Sequence, residues 1–161
     1  MSSHDAAPPE PGREFADLDE VVATAGQHVG TSPWMEVTQD RIDMFAAATG
    51  DHQWIHVDPE RARTGPYGAT VAHGYLTLSL LPVLGASAYT VGPGITRVNY
   101  GINRARFPHP VRVGSRVRAI VSFGEVTSAA GGLQLVQKFV VEVEGADKPA
   151  CVAETVVLLR G

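Results

Sequence analysis

From His73 to about Gly85 the chain is apolar nearly all round: Tyr75, Leu76, Leu78, Leu80, Leu81, Val83 and Leu84 leave no polar stripe for water to cover. A helix of that kind has to be enclosed by the rest of the molecule rather than laid on its surface. Pro82 has no N–H to give to the Leu78 carbonyl, which predicts a kink or an early end there. Thr70, the nearest capping side chain, lies too far back to cap a helix beginning at His73. The first N–H groups of that helix are therefore expected to be free to meet a ligand.

The enclosing structure comes after the helix in the chain. Thr96, Val98, Tyr100 and Ile102 share one parity and Ala105 and Phe107 the other, so one extra residue, a bulge or bend, is expected near Gly101 to Asn103. Val111, Val113, Val117, Ala119, Val121 and Phe123 alternate with Arg112, Arg116, Arg118 and Ser122, the pattern of a strand with one wet face. Ala129 to Gly132 is a turn signal, after which Leu133, Leu135, Phe139, Val141 and Val143 keep one parity. Val152 to Leu159 is apolar on both parities apart from Glu154 and Thr155, which suits a central strand. About four long antiparallel strands after one buried helix make an α+β pattern in which a sheet wraps a central helix.

The first half of the chain reads as short elements. Residues 1–14, with Pro8, Pro9, Pro11 and Gly12 and no apolar period, are expected to form a disordered tail ahead of a domain over residues 15–161. Asp17 and Glu20 form a capping box for a short helix that stops at Gly26. Ser32 to Val37 reads as a short edge strand, with Pro33 restricting its place. Thr38 caps a helix carrying Ile42, Phe45, Ala46 and Thr49, and Gly50 ends it. Asp58 and Pro59 then start another, which Gly65 to Gly68 terminates.

With 161 residues, 44% hydrophobic and 19% charged, the chain suits one domain with a core of its own. A formal net charge of −4 gives no general attraction to nucleic acid or anionic lipid. The single cysteine, Cys151, excludes an intrachain disulfide and fits a reducing compartment; with no signal peptide and no run of membrane-spanning length, a cytoplasmic protein is expected.

The helix that ends at Gly50 delivers the chain into Asp51-His52-Gln53-Trp54-Ile55-His56-Val57-Asp58. A carboxylate and an imidazole so placed in a turn, Asp51 and His56, can hold a water and move its proton. The alternative is that Asp51 caps the turn and His56 is a satisfied loop histidine. Asp51, His52, His56, Asp58 and His73 also offer metal-ligand types, but without the spacing of a helical His-Glu-x-x-His site, and no metal is expected. Gly74, at the start of the buried helix, either donates its N–H to a carbonyl oxygen gaining charge or simply permits close helix–strand packing. Arg97, Arg104, Arg106, Arg112, Arg116 and Arg118 have no acid among them, which suits either the phosphates of an anionic ligand or a wet sheet face.

The segments Ala48-Thr49-Gly50-Asp51-x-Gln53-x-x-His56-x-Asp58, Pro66-x-Gly68, Ala72-His73-Gly74 and Tyr100-Gly101-x-Asn103-x-x-Arg106-Phe107 resemble the MaoC-like, or (R)-specific enoyl-CoA hydratase, family, especially small actinobacterial members. The resemblance runs from about Asp17 to the C-terminus. It implies a hot-dog fold, usually a homodimer, and hydration of an enoyl thioester on coenzyme A without metal or redox cofactor. It makes Asp51 and His56 the water-activating pair and Gly74 the thioester-carbonyl donor. Gln53, Trp54, Gly68, His73, Asn103, Arg104 and Arg106 become candidates for substrate contact. Where the family usually has Asn-Pro between the two catalytic residues, this chain has Gln53-Trp54, which bears on pocket shape and so on acyl-chain length. A hot-dog thioesterase and a non-catalytic acyl-CoA-binding subunit are the competing readings.

Overall fold

The computed structural model describes residues 12–161. Its elements in chain order are β1 (Arg13–Phe15), α1 (Leu18–Ala23), β2 (His28–Thr31), β3 (Met35–Glu36), α2 (Gln39–Thr49), α3 (Trp54–Val57), α4 (Pro59–Arg63), α5 (Gly74–Ser79), α6 (Leu81–Ala88), β4 (Tyr89–Val91), β5 (Thr96–Arg106), β6 (Arg116–Ala129), β7 (Gly132–Val143) and β8 (Cys151–Arg160). The expected tail lies outside the described residues up to residue 11. Arg13 and Glu14, also assigned to it, instead belong to β1, which pairs in parallel with β4.

The main sheet is antiparallel, in the order β2-β6-β7-β8-β5, with β3 also on β6. It wraps α5 and α6, the hot-dog arrangement, and β8 has a neighbour on each side as its double-sided apolar pattern requires. The inner face supplies the core: Val117, Ala119, Val121 and Phe123 of β6, Leu135, Phe139 and Val141 of β7, and Ala153, Val157 and Leu159 of β8 meet Leu76, Leu80, Leu81 and Leu84 of the helices. Helix and sheet approach closely where side chains are absent. A Cβ on Gly30 would stand 2.3 Å from the Ala88 carbonyl oxygen, and one on Gly85 would stand 3.3 Å from the Phe139 ring.

The local signals hold where they are strongest. Asp17 accepts from the Glu20 N–H, the first half of the capping box, and the Glu20 carboxylate reaches back one residue past the cap to accept from the Ala16 N–H. Thr38 and Asp58 cap α2 and α4 through the N–H groups of Arg41 and Arg61. The buried helix breaks at Leu80, with Pro82 in the first turn of α6. It then runs on to Ala88, because a proline there costs no hydrogen bond.

Five expectations are corrected. The helix read as enclosed nearly all round leaves Tyr75, Ser79, Pro82, Val83, Ala86 and Ser87 exposed along one side, because the sheet covers only the side that carries Leu76, Leu80, Leu81 and Leu84. The strand read over Ser32 to Val37 is only Met35–Glu36, since Pro33 has no N–H for the ladder and the preceding His28–Thr31 is the longer piece. The strand read from Val111 starts at Arg116, because Gly114 turns the chain at φ 81°. α1 ends at Ala23, with the Thr24 N–H bonded to the Val21 carbonyl, three residues before Gly26. β5 carries two register shifts against β8, between Asn99 and Gly101 and between Ile102 and Arg104, in place of the one extra residue that apolar parity suggests.

Gly50 closes α2 in the left-handed region, φ 80°, with its N–H on the Ala46 carbonyl. Gly50→Ala has open space for its Cβ, so its cost is conformational and amounts to about 1–2 kcal/mol. The expected reading is a lower urea midpoint at unchanged m value.

Candidate active site

The Gly50 turn sets Asp51 at the end of α2, and α3 comes next as a single turn holding His56. Two bonds lock this turn to the segment that leads into α5. The Val71 N–H donates to the Ile55 carbonyl at 3.0 Å, and the Val71 carbonyl accepts from His56 Nδ1 at 2.6 Å. From α2, Gln39 ties the same pieces together: its amide N–H groups donate to the His56 carbonyl and to Asp43 Oδ1, each at 2.8 Å, and its Oε1 accepts from the Thr70 hydroxyl.

The carbonyl of Val71 can only accept, so the proton of the neutral His56 ring is on Nδ1 and Nε2 carries a lone pair. Burial pushes the His56 pKa below its ordinary value, and nearby His73 acts in the same direction; the bond to Val71 and the Asp51 charge oppose them. The ring is 7% exposed, whereas Asp51 is exposed to water. His73 Nε2 donates to the Asp51 backbone carbonyl at 2.9 Å, and its ring stacks on that of His56 with centroids 3.8 Å apart.

A carboxylate oxygen of Asp51 and a ring nitrogen of each of His56 and His73 lie within 4.8 Å of one another. Stacked imidazoles hold their in-plane lone pairs side by side instead of aiming them at one point, a poor cage for a metal ion. A water between the carboxylate and His56 Nε2 needs no such convergence.

Beside this pair opens a cleft of about 380 Å³. His56 and Gly74 line it, together with Ile55, Tyr67, Thr77, Phe107 and His109. His73, the N-cap of α5, makes no side-chain cap, which leaves the start of that helix without a protein partner from its own cap residue. A Cβ on Gly74 would lie 3.0 Å from the Phe107 ring, so the missing side chain both opens the helix start and admits Phe107. Both sequence readings of Gly74 therefore describe the same atoms.

Several expected substrate contacts lie elsewhere. Trp54 and His56 are two positions apart on one helical turn and so point to nearly opposite sides; the Trp54 ring packs over Gly65 and under the Arg61 guanidinium, 4.2 Å away, outside the cleft wall. His73 is 3% exposed, behind His56, and holds the site together without lining it. Gln53 is exposed at the start of α3, where its carbonyl takes the His56 N–H and its own N–H reaches Asp51 Oδ1 at 3.4 Å. Gly68 is a turn residue at φ 71°, whose neighbour Tyr67 reaches the cleft. Asn103, Arg104 and Arg106 are exposed on β5, and Arg106 folds back onto the Ala105 carbonyl. Three residues of the site, Gln39, Tyr67 and His109, escape the sequence reading. Gln39 gives no signal beyond an ordinary first-turn position, Tyr67 is the unspecified middle residue of Pro66-x-Gly68, and His109 comes from a segment with no local motif.

The described residues contain no helix long and apolar enough to cross a membrane. A family model described as the MaoC like domain matches residues 20–144. The 3-hydroxyacyl-thioester dehydratase Z of Mycobacterium tuberculosis is 53% identical over 146 residues, covering 90% of this chain and 97% of that protein. Among solved structures, the R-hydratase PhaJ1 from Pseudomonas aeruginosa superposes with a TM-score of 0.69 at 23% identity, over 84% of this chain and 81% of that one. The (R)-hydratase from A. caviae involved in PHA biosynthesis gives 0.67 at 24% identity, over 83% and 95%. These structural likenesses carry the hot-dog fold, and the sequence match carries the kinship: the chain belongs to the MaoC-like dehydratase family.

Proposed function

We propose that the protein catalyses the reversible hydration of a trans-2-enoyl thioester, carried on coenzyme A, to the (R)-3-hydroxyacyl thioester. The observation that carries this reading is the fixed tautomer of His56. With Nδ1–H bound to Val71, Nε2 is left as an acceptor; a ring nitrogen of His56 lies within 4.8 Å of an Asp51 carboxylate oxygen, and His56 shares a cleft with Gly74. Asp51 accepts one O–H of a water and orients it; His56 Nε2 takes the other proton as the water oxygen bonds to C3. The electron pair of the C2–C3 double bond moves toward the thioester oxygen, where the Gly74 N–H receives the developing charge. His56 then returns its proton to C2, so that H and OH have been added across the double bond and the enzyme is unchanged. A relative bearing the name 3-hydroxyacyl-thioester dehydratase supports the same transformation read backwards.

Asp51→Asn and His56→Ala, each shown to be folded, should lower hydration of crotonyl-CoA by about 10²–10⁴-fold. Near wild-type rates in both would sink the assignment. The same assay separates the competing hot-dog reaction: loss of the enoyl absorbance without release of thiol marks a hydratase, whereas thiol release marks a thioesterase. An acyl-CoA-binding subunit would bind tightly and turn over nothing.

The pH dependence has a defined sign. Because the folded protein holds His56 below its ordinary value of 6.5, the free base persists as pH falls to 6.5. The value of kcat/KM should drop only below that, through the lowered pKa. Folding stability moves the same way: the contribution of neutral His56 is complete above 6.5 and is lost as pH falls through the folded value, since the unfolded chain binds the proton first. An acid limb of kcat/KM centred above 6.5 would mean that another group is the base.

We also read the protein as a two-fold homodimer in the cytoplasm. Among the described residues β5 pairs only with β8, and its residues Val98 and Tyr100 are 41% and 66% exposed, with Tyr75 of α5 exposed to 71%. An open, apolar strand edge is normally covered, and pairing β5 with its copy covers it symmetrically. That pairing sets Arg104 and Arg106 near the mouth of the cleft, where coenzyme A phosphates can be met. Sedimentation equilibrium should give a dimer; a fully active monomer at nanomolar concentration would overturn the shared groove. The buried Cys151, alone in the chain, suits a reducing compartment.

A further inference from the structure

A hydroxyl on a helix commonly spends its proton on the carbonyl one turn earlier, and most helical hydroxyls of this chain do so. Thr24 donates to the Glu20 carbonyl, Thr49 to Phe45, Ser79 to Tyr75 and Ser87 to Val83. Thr77, inside α5, does not. Its backbone N–H goes to the His73 carbonyl at 3.1 Å, and among the described residues its hydroxyl has no hydrogen-bond partner. The residue is only 3% exposed. Yet the hydroxyl is not sealed in: among the described residues the buried side-chain polar atom without a partner is His73 Nδ1. The Thr77 oxygen opens instead on the catalytic cleft, whose wall it shares with Gly74 and His56. A valine of the same shape would fill this place without burying an unpaired donor, so the fold by itself has no use for the hydroxyl.

Its position says where the proton can be used. Thr77 follows Gly74 by three residues, which makes the two neighbours on one face of the helix. Helical side chains lean toward the N-terminus and cover the turn before their own, and for Thr77 that is the turn beginning at Gly74. Gly74 puts no side chain in that space, and the Phe107 ring, 3.0 Å from where a Cβ would be, bounds it from the other side.

Taking the proposed hydratase reading as its basis, we infer that Thr77 is a further catalytic residue: its hydroxyl donates to the thioester oxygen beside the Gly74 N–H. When the C2–C3 electron pair moves toward that oxygen, the oxygen accepts hydrogen bonds more strongly than the ground-state carbonyl does. The surrounding wall, with Ile55, Val71, Ala72, Phe107 and Val111, offers it little else. A second donor shares the developing charge. The Thr77 proton stays on its own oxygen throughout, so His56 still takes a proton from water and returns it to C2, and the reaction balances as before.

The test combines kinetics with spectroscopy on the full-length protein. Thr77→Val keeps the shape and removes the donor, whereas Thr77→Ser keeps the donor. T77V should lower kcat for crotonyl-CoA hydration by about 10²-fold, with a far smaller change in KM, and T77S should retain most of the rate. Since the hydroxyl has no partner in the fold, T77V should unfold at a urea concentration no lower than the wild type. Butyryl-CoA carrying carbon-13 at the carbonyl reports the contact without turnover: by isotope-edited infrared its bound carbonyl band should lie lower in the wild type and T77S than in T77V. A wild-type kcat in T77V, or the same band position in T77V and the wild type, overturns the inference; if T77V does not fold, Thr77→Ala takes its place in both measurements. A wild type that hydrates nothing but shows the band difference would refute the hydratase reading and leave the Thr77 contact standing.

Discussion

The segment from Gly74 to Ala88 buries Leu76, Leu80, Leu81, Leu84 and Ala88 on one side and leaves Tyr75, Ser79, Pro82 and Val83 exposed on the other, and most of the sheet is arranged to cover the buried side. β6, β7 and β8 present Val, Leu and Phe to it at every second position, and the helix breaks at Leu80 without leaving the core. Burial of this kind is worth about 1.5–3 kcal/mol for each large apolar side chain, but it is non-directional and would tolerate sliding. The close approaches remove that freedom. Gly30 brings β2 against the Ala88 carbonyl, and Gly85 lets the Phe139 ring and Arg97 close over α6. With the far end of the helix pinned, its near end at Gly74 is held at the floor of the cleft.

The catalytic pair depends on a second constraint, the double hydrogen bond between α3 and Val71. Asp51 and His56 are close in sequence, yet their environments differ sharply: the carboxylate is in water and the imidazole is under the stacked His73 ring. Burial favours the neutral imidazole, so the turn sets a free base within reach of an exposed carboxylate. His73 fastens the two together, its ring on His56 and its Nε2–H on the Asp51 carbonyl. A residue whose place in the motif suggests substrate contact thus acts through its neighbours.

Local rules explain which parts are legible in the sequence. Asp17, Thr38, Gly50 and Asp58 act within a few residues of themselves, and each is found capping or ending the helix expected of it. Period-2 alternation marks β6 and β7, whereas the helix is read from a long apolar run without a period of its own. The illegible parts are those that depend on a distant partner. β1 exists because β4 lies beside it, and a three-residue parallel pair leaves no pattern. Gln39 matters because Thr70 and His56 come to meet it from another part of the chain. Trp54 resembles a pocket residue by adjacency to the catalytic loop, but a helical turn sends it away from His56 and toward Arg61. Tyr67 and His109 reach the cleft only because Ala72 and Val113 bond across to Val111 and Thr70.

β5 shows how an edge strand can face two ways. A perfect alternation from Thr96 to Arg106 would put Val98, Tyr100 and Ile102 together on the outside, a continuous apolar edge. Two bulges interrupt it, and Ile102 turns inward opposite Thr155, while Arg97, Asn99 and Ala105 stay inward on either side. Each extra residue reverses the facing of the residues after it, so a pair of them restores the original parity after Arg104. One bulge would have turned Arg104 and Arg106 into the core and Ala105 out to solvent. With two, Arg104 and Arg106 remain outside and Phe107 closes over Gly74. The second bulge therefore keeps Arg104 and Arg106 away from the core side that Ala105 occupies, a requirement that the parity of apolar residues alone does not reveal.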